Sequence, residues 1–189
     1  MELEEKVQAV EALMDALDAE ILKFQGWSGL GCKAGCGKCC FKPDIEATVL
    51  EFLPFALHLY RTSQAELWLE RLSNEPSPLC TLLDPLQLSG MCTSYRYRGL
   101  VCRLFGFSAR TNKHGKKEIV TCQVIKTEQT ETFQSAQMQM EEDLPVPVTS
   151  RFYMQLHAID FTMAREFFPV NQAIKRAIEV ILHYYAYRA

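Results

Sequence analysis

Apolar residues at the start of the chain recur at alternating spacings of four and three residues. They are Leu3, Val7, Val10, Met14, Leu17, Ile21 and Phe24. This spacing aligns them on one stripe of an α-helix and predicts an N-terminal helix over residues 1–25, ended by Gly26, Gly29 and Gly31. A heptad stripe of about three repeats favours packing on the chain's own core, and the alternative is a homodimer through this helix.

Two capping-box sequences predict helices in the next part of the chain. The box at residues 48–51 precedes a very apolar stretch that contains Pro54, for which we expect a buried, kinked helix. The box at residues 63–66 precedes a short helix that ends before the Pro-rich residues 74–78. The second quarter of the chain is therefore expected to be helical.

A β-hairpin is predicted further along the chain. Residues 100–110 and 117–125 are rich in Val, Ile, Leu and Phe, and the residues between them have turn composition. Helices are expected over residues 130–189, with one ending at Pro145 and another at Pro169. The last helix has the clearest apolar face.

The last helix is predicted to have Asn171 as its N-cap, because asparagine is favoured at that position.

We find no internal repeat or domain boundary in residues 1–189. The sequence therefore predicts a single domain of α+β class, mostly α-helical, with a small hairpin and an irregular cysteine-rich core over residues 30–125.

Composition narrows the classes of function. The 189 residues are 48% hydrophobic and carry a net charge of -3, so the chain lacks the positive field of a nucleic-acid-binding protein, and no nucleic-acid partner is expected. No apolar run is long enough to span a membrane, and the acidic N-terminus is unlike a secretory signal. We expect a cytoplasmic protein, whose cysteines serve metal binding or catalysis more often than disulfides.

Eight cysteines are the main candidates for chemistry. Four lie in the run Cys32-x3-Cys36-x2-Cys39-Cys40, where glycines permit a tight loop around an ion. Since neighbouring side chains tend to diverge, we expect Cys39 and Cys40 to serve different centres, or one of them to be a reactive thiol or to contact a metal ligand without binding the metal. The other four are Cys80, Cys92, Cys102 and Cys122, the last two on the predicted hairpin.

Eight thiolates are enough for two tetrahedral zinc sites, or for one iron-sulfur cluster with four cysteines left over. Basic side chains interleaved with the cysteines would lower thiol pKa values and donate hydrogen bonds to sulfur. These are Lys33, Lys38, Lys42, Arg96, Arg98 and Arg103. The opposing interpretation is that some of the eight are buried apolar thiols.

The ordered motifs resemble the YkgJ-type cysteine-cluster family of zinc- or iron-chelating proteins. The resemblance rests on four motifs and covers roughly residues 30–125. The motifs are Cys32-x3-Cys36-x2-Cys39-Cys40, Cys80-Thr-Leu-Leu-Asp84, Gly90-Met-Cys92-Thr-Ser-Tyr95 and Arg98-x3-Cys102-Arg103. It implies that the cysteines chelate metal. A flagellin lysine methylase resembles the same family in its cysteine region, which keeps S-adenosylmethionine-dependent methyl transfer as an alternative.

Three functions follow from these residues. The first is a metal-thiolate domain, with zinc slightly favoured, in which metal binding stabilises the fold. The second is an iron-sulfur protein for electron or methyl transfer, and the third is thiol redox catalysis by Cys39 and Cys40. Tyr95, Arg98, Arg103 and Asp84 are the candidates for orienting the bound cofactor. The four histidines are scattered, and no conventional catalytic set is evident.

Overall fold

A computed structural model describes residues 1–33, 35–74, 77–86, 91–140 and 146–188. Its α-helices in those residues are α1 (Leu3–Ser28), α2 (Leu53–Arg61), α3 (Ala65–Asn74), α4 (Leu100–Leu104), α5 (Gln123–Glu128), α6 (Thr130–Gln139), α7 (Thr149–Ile159), α8 (Phe161–Ala164) and α9 (Val170–Ala186). Its strands there are β1 (Glu46–Thr48), β2 (Ser108–Thr111), β3 (Lys117–Val120) and β4 (Phe167–Pro169). Short 3₁₀ helices lie at Lys38–Phe41, Leu50–Phe52 and Tyr95–Tyr97. The mostly helical α+β class is confirmed.

Helix α1 contains the whole apolar stripe predicted from the sequence. All seven stripe residues are buried by the chain itself. The helix runs past Gly26 and ends before Gly29, whose φ of 68° is the left-handed conformation common after a helix end. The prediction that Gly26 helps to end the helix is therefore wrong, because an exposed glycine is tolerated inside a long helix that is fixed by packing.

Contacts divide the chain into two compact units. The first is made of Met1–Ala12, Ala34–Gly99 and Leu156–Ala189, and the second of Leu13–Lys33 and Leu100–Gln155. The single-domain prediction stays a prediction.

The first unit is built around α9. This helix packs against α2, α3 and the small antiparallel sheet β1–β4, in which Ala47 is opposite Phe168. Its apolar face, including Ile174, Ile178 and Ile181, is fully buried, as its periodicity predicts. Both strands were missed in the sequence, since three residues are too few to show alternation.

The apolar stretch after Thr48 forms a 3₁₀ turn followed by α2. The Glu51 carboxylate accepts hydrogen bonds from the Thr48 N–H at 2.9 Å and the Thr48 hydroxyl at 3.1 Å, as in half of a capping box. Pro54 lies in the first turn of α2, where its missing N–H costs nothing. In place of the predicted kink at Pro54, the chain therefore changes from a 3₁₀ helix to an α-helix just before Pro54.

The second unit contains the hairpin, and its strands are shorter than predicted. Strands β2 and β3 pair with Ala109 opposite Ile119, whereas the flanking segments form α4 and α5. Cys102 therefore lies on a helix and Cys122 immediately before one, and the prediction that both lie on hairpin strands is wrong. The core of this unit consists of Phe24, Leu30, Ala109, Ile119, Ile125, Ala136, Met140 and Val146.

Other predicted helix ends need correction or lie outside the described residues. The helix predicted to end at Pro169 stops earlier, and Phe167 belongs to β4, because its backbone pairs with Thr48. Helix α6 ends at Gln139 with Met140 as its C-cap, so the prediction that it continues to Pro145 is wrong. Pro145 itself lies outside the described residues, as do Glu75 and Pro76 of the Pro-rich loop. No helix in the described residues is long and apolar enough to cross a membrane.

Candidate metal centre

Cys39 and Cys40 lie on the 3₁₀ helix Lys38–Phe41, and their sulfur atoms are 4.0 Å apart. The helix is closed by a hydrogen bond from the Cys40 N–H to the Gly37 carbonyl at 2.8 Å. The expectation that neighbouring thiols diverge is wrong here, because the tight turn directs both side chains the same way. A tetrahedral zinc ion with Zn–S bonds of about 2.3 Å places its ligands roughly 3.8 Å apart, so this pair fits one ion.

Cys80 and Cys92 are brought together by a short antiparallel pairing between their segments. The Asp84 N–H donates to the Met91 carbonyl and the Thr93 N–H donates to the Leu82 carbonyl, both at 2.8 Å. Cys92 is opposite Leu83 in this pairing. Both cysteines are half-buried. Backbone hydrogen bonds thus bring together two segments whose cysteines are twelve positions apart in the sequence.

Gly37 and Met91 connect the two cysteine segments by a close contact. A Cβ atom built on Gly37 would lie only 2.4 Å from the Met91 Cβ and 2.9 Å from its sulfur. Only glycine therefore allows the Cys36–Cys40 loop to approach the segment that carries Cys92. From the sequence, Gly37 was expected to allow a tight loop. The structure shows that its missing side chain also permits this close approach.

The charges of three thiols influence one another. Burial above all, and then the charges of Cys92 and Cys39, raise the pKa of Cys80 to about 11 against an opposing hydrogen bond from the Leu82 N–H. Burial likewise raises the pKa of Cys92, and the charge of Cys39 adds to that effect. These three thiols therefore belong to one electrostatic neighbourhood.

Cys39 is the thiol most readily ionised in this neighbourhood. The hydrogen bond with Cys40 lowers the pKa of Cys39 to about 6, against the opposing effect of burial, and the positive charge of Arg98 contributes. Arg98 also lowers the pKa of Cys92, although burial dominates there. Thiolates are the form that binds metal, and a pKa of about 6 gives Cys39 that form at neutral pH.

Arg98 is held in place by Tyr95. The guanidinium lies over the tyrosine ring at 3.5 Å from its centroid, and Nε donates to the Tyr95 carbonyl at 3.1 Å. The ring itself is 64% exposed, so its contact with Arg98 takes place at the surface. Of the two predicted orienting residues, Arg98 thus acts by its charge on Cys39 and Cys92, and Tyr95 contacts Arg98.

Asn171 is a functional candidate that the sequence interpretation missed. Its side chain does not cap α9, which begins at Val170 with Pro169 as the preceding residue. Instead it accepts a hydrogen bond from the Thr81 N–H at 2.7 Å and donates to the Ser77 and Leu79 carbonyls at 2.9 and 2.8 Å. The N-cap prediction is therefore wrong, and no sequence signal connects residue 171 with a loop ninety positions earlier.

Arg103 and Asp84 were also predicted to orient the cofactor, and they make contacts of a different kind. Arg103 is buried and pairs with Asp18 of α1, in the second unit. Asp84 accepts a hydrogen bond from the Leu86 N–H at 3.0 Å, which is an Asx turn in the loop after Cys80. Gly90 of the third motif lies outside the described residues.

The cysteines divide between the two units. Cys36, Cys39, Cys40, Cys80 and Cys92 belong to the first unit, and Cys32, Cys102 and Cys122 to the second. Cys122 is the N-cap of α5, where its sulfur accepts a hydrogen bond from the Ile125 N–H at 3.4 Å, and it packs against the apolar core of its unit. No disulfide joins any of the eight, all of which are described.

Within the described residues, no group of three or more His, Cys, Asp or Glu side chains is arranged to hold a metal ion as it stands. The chemistry of the four neighbouring thiols of Cys39, Cys40, Cys80 and Cys92 nevertheless fits a thiophilic ion, because soft sulfur ligands select zinc, copper(I) and iron-sulfur clusters.

Comparison with protein-family models matches residues 31–137 to the family CxxCxxCC, described as "Putative zinc- or iron-chelating domain". The match covers more than half of the chain and includes all eight cysteines. No curated protein and no solved structure matched the chain.

Proposed function

Since the chain belongs to the CxxCxxCC family of zinc- or iron-chelating domains, we propose that it binds one zinc ion through the thiolates of Cys39, Cys40, Cys80 and Cys92. The observation that carries this proposal is the position of Cys39. Its sulfur is 4.0 Å from that of Cys40, and its charge raises the pKa of both Cys80 and Cys92. Four thiols from three separate stretches of chain thus share one neighbourhood.

Four sulfur ligands make a closed tetrahedral site, the form typical of structural zinc. Such a site carries a formal charge of about -2, and the guanidinium of Arg98 lies where it opposes that charge. Binding would draw Cys80 and Cys92 toward the preformed pair. The high pKa of Cys80 means that binding must displace its proton, so affinity should rise with pH.

The role of the bound metal is to join the loop Cys36–Cys40 to the segments that carry Cys80 and Cys92. In metal-thiolate domains the free energy of metal binding becomes free energy of folding. We therefore propose a metal-stabilised domain and assign it no catalytic step. Cys122, which caps α5, is proposed to lie outside this zinc site.

The proposal is tested by elemental analysis of the whole protein purified without oxygen, together with its absorption spectrum and acid-labile sulfide. Colourless protein with zinc, and one equivalent less zinc in Cys80→Ser and Cys92→Ser, supports it. Cys122→Ser is the matched control, because serine preserves the cap of α5. Iron with acid-labile sulfide and a visible absorption band would show that the site holds an iron-sulfur cluster instead of zinc. Unchanged zinc content in both Cys80→Ser and Cys92→Ser would refute the ligand set.

A further inference from the structure

Two cysteine-bearing segments of the first unit are tied to the same short stretch of chain. That stretch is Phe167–Asn171, which comprises β4 and the first residues of α9. It lies beyond residue 137, where the family match ends. Part of the scaffold of the proposed centre therefore lies outside the matched region.

The first tie holds the loop that carries Cys80. The Asn171 carboxamide uses its oxygen on the Thr81 N–H and both amide hydrogens on the carbonyls of Ser77 and Leu79. These three hydrogen bonds fall on both sides of Cys80. A single side chain thus fixes the backbone immediately before and after a proposed ligand.

The second tie holds the chain that leaves the Cys39–Cys40 turn. The Val170 N–H donates to the Ile45 carbonyl at 2.9 Å, only five residues after Cys40. From there β1 pairs with β4, with Glu46 opposite Pro169. The start of α9 is therefore the common anchor of both segments.

An ordinary role for Asn171 would be to cap α9, and the geometry does not support it. Its side chain makes three hydrogen bonds to residues 77–81. Three such bonds together stabilise one conformation of the loop. Their main effect is thus on the position of the Cys80 loop.

We infer that Asn171 is a positioning residue of the metal centre, which holds Cys80 ready for binding by its three hydrogen bonds to residues 77–81. The inference rests on the proposed function. Groups that orient metal ligands commonly change metal affinity about 10–100-fold when they are removed, because the ligand must then be ordered at the moment of binding. Asn171 never touches the metal in this account.

The test compares Asn171→Ala with the isosteric Asn171→Asp, which keeps the acceptor but loses both donors. Asn112→Ala is the matched control. Asn112 also makes three side-chain hydrogen bonds, accepting from His114 and Lys116 N–H and donating to Glu118, but in the hairpin of the second unit. Zinc affinity of the full chain is measured by competition with a coloured chelator. The alkylation rate of Cys80 is measured in the metal-free protein by peptide mass spectrometry.

Both Asn171 variants should bind zinc about tenfold or more weakly, and Asn112→Ala within about twofold of the parent. Cys80 should be alkylated on the order of tenfold faster in the Asn171 variants alone, since the loop opens more readily without its hydrogen bonds. Equal affinity and equal Cys80 alkylation in Asn171 variants and control would overturn the inference while leaving zinc binding intact. A parent protein that binds no zinc would instead overturn the proposed function and the inference with it.

Discussion

The sulfur atoms of Cys39 and Cys40 lie 4.0 Å apart although the two residues are adjacent in sequence. The 3₁₀ turn on which they lie produces this arrangement and stabilises the thiolate of Cys39 through its hydrogen bond with Cys40. A preformed pair reduces the conformational entropy that must be lost when metal binds. For the four thiols to bind one ion, the turn must also approach the segments that carry Cys80 and Cys92.

Gly37→Ala is expected to weaken zinc binding by on the order of tenfold, because its Cβ would overlap with the Cβ of Met91 and push the two cysteine segments apart. Chelator competition measures the effect. Met91→Gly in the same chain should restore much of the affinity by removing the overlapping atom. Gly26→Ala is the control, since a Cβ there meets nothing within 4 Å and should stabilise α1 by about 0.5–1 kcal/mol. An unchanged affinity in Gly37→Ala would show that the close approach is dispensable.

Arg98→Ala is expected to lower zinc affinity about 10–100-fold, because the guanidinium offsets the negative charge of the thiolates. The same competition assay gives the result. Arg110→Ala removes an arginine that pairs with Glu118 at 3.1 Å in the hairpin and should leave affinity unchanged. If both substitutions had equal effects, net charge alone would be responsible.

Leu17→Ala and Leu22→Ala compare two leucines on α1. Leu17 is fully buried in the apolar stripe, so its truncation should lower the free energy of unfolding by about 2–5 kcal/mol. Leu22 is 68% exposed and should change it by less than about 0.5 kcal/mol. Chemical denaturation provides both values. A midpoint that rises with protein concentration would contradict burial within one chain and favour the homodimer.

Asp160→Asn tests a pH-dependent contact in the first unit. Burial opposes ionisation of Asp160, but the hydrogen bond from Lys6, 2.6 Å away, and the Met163 N–H hold its pKa below the ordinary value. A lowered folded pKa gives stability that is present above the unfolded pKa of about 3.9 and is lost as the pH falls through the folded pKa.

The parent should therefore exceed Asp160→Asn by about 1 kcal/mol at neutral pH, and the difference should shrink in acid. Urea denaturation at several pH values measures this. Asp15→Asn, at an exposed position of α1, should differ from the parent by less than about 0.5 kcal/mol at neutral pH. A difference between parent and Asp160→Asn that did not vary with pH would rule out the Lys6 contact as its cause.

The sequence predicted those elements whose apolar pattern is long. Helix α1 and the buried face of α9 follow directly from their periodicity, because a regular stripe must be covered by other apolar groups. The sequence pattern overestimated the length of the hairpin strands, because apolar residues in 100–104 are equally compatible with a strand and a short buried helix. Strands β1 and β4 exist only through their pairing, which local pattern does not contain.

The choice of metal-binding residues from the cysteine motifs stays a prediction, whereas the arrangement around them was predicted only in part. Arg98, chosen from the sequence, acts by its charge on Cys39 and Cys92, and Tyr95 contacts Arg98. The anchoring of the Cys80 loop by Asn171 was not predicted, since it depends on a contact across ninety positions. The local sequence predicted Asn171 as a helix cap, whereas in the folded chain its carboxamide forms hydrogen bonds with the Cys80 loop.

Zinc X-ray absorption spectroscopy on the protein loaded with one equivalent of zinc identifies the ligand atoms directly. We expect four sulfur neighbours at about 2.3 Å in the parent protein and no four-sulfur shell in Cys80→Ser. A first shell dominated by nitrogen or oxygen, or a four-sulfur shell that survives in both Cys80→Ser and Cys92→Ser, would contradict it.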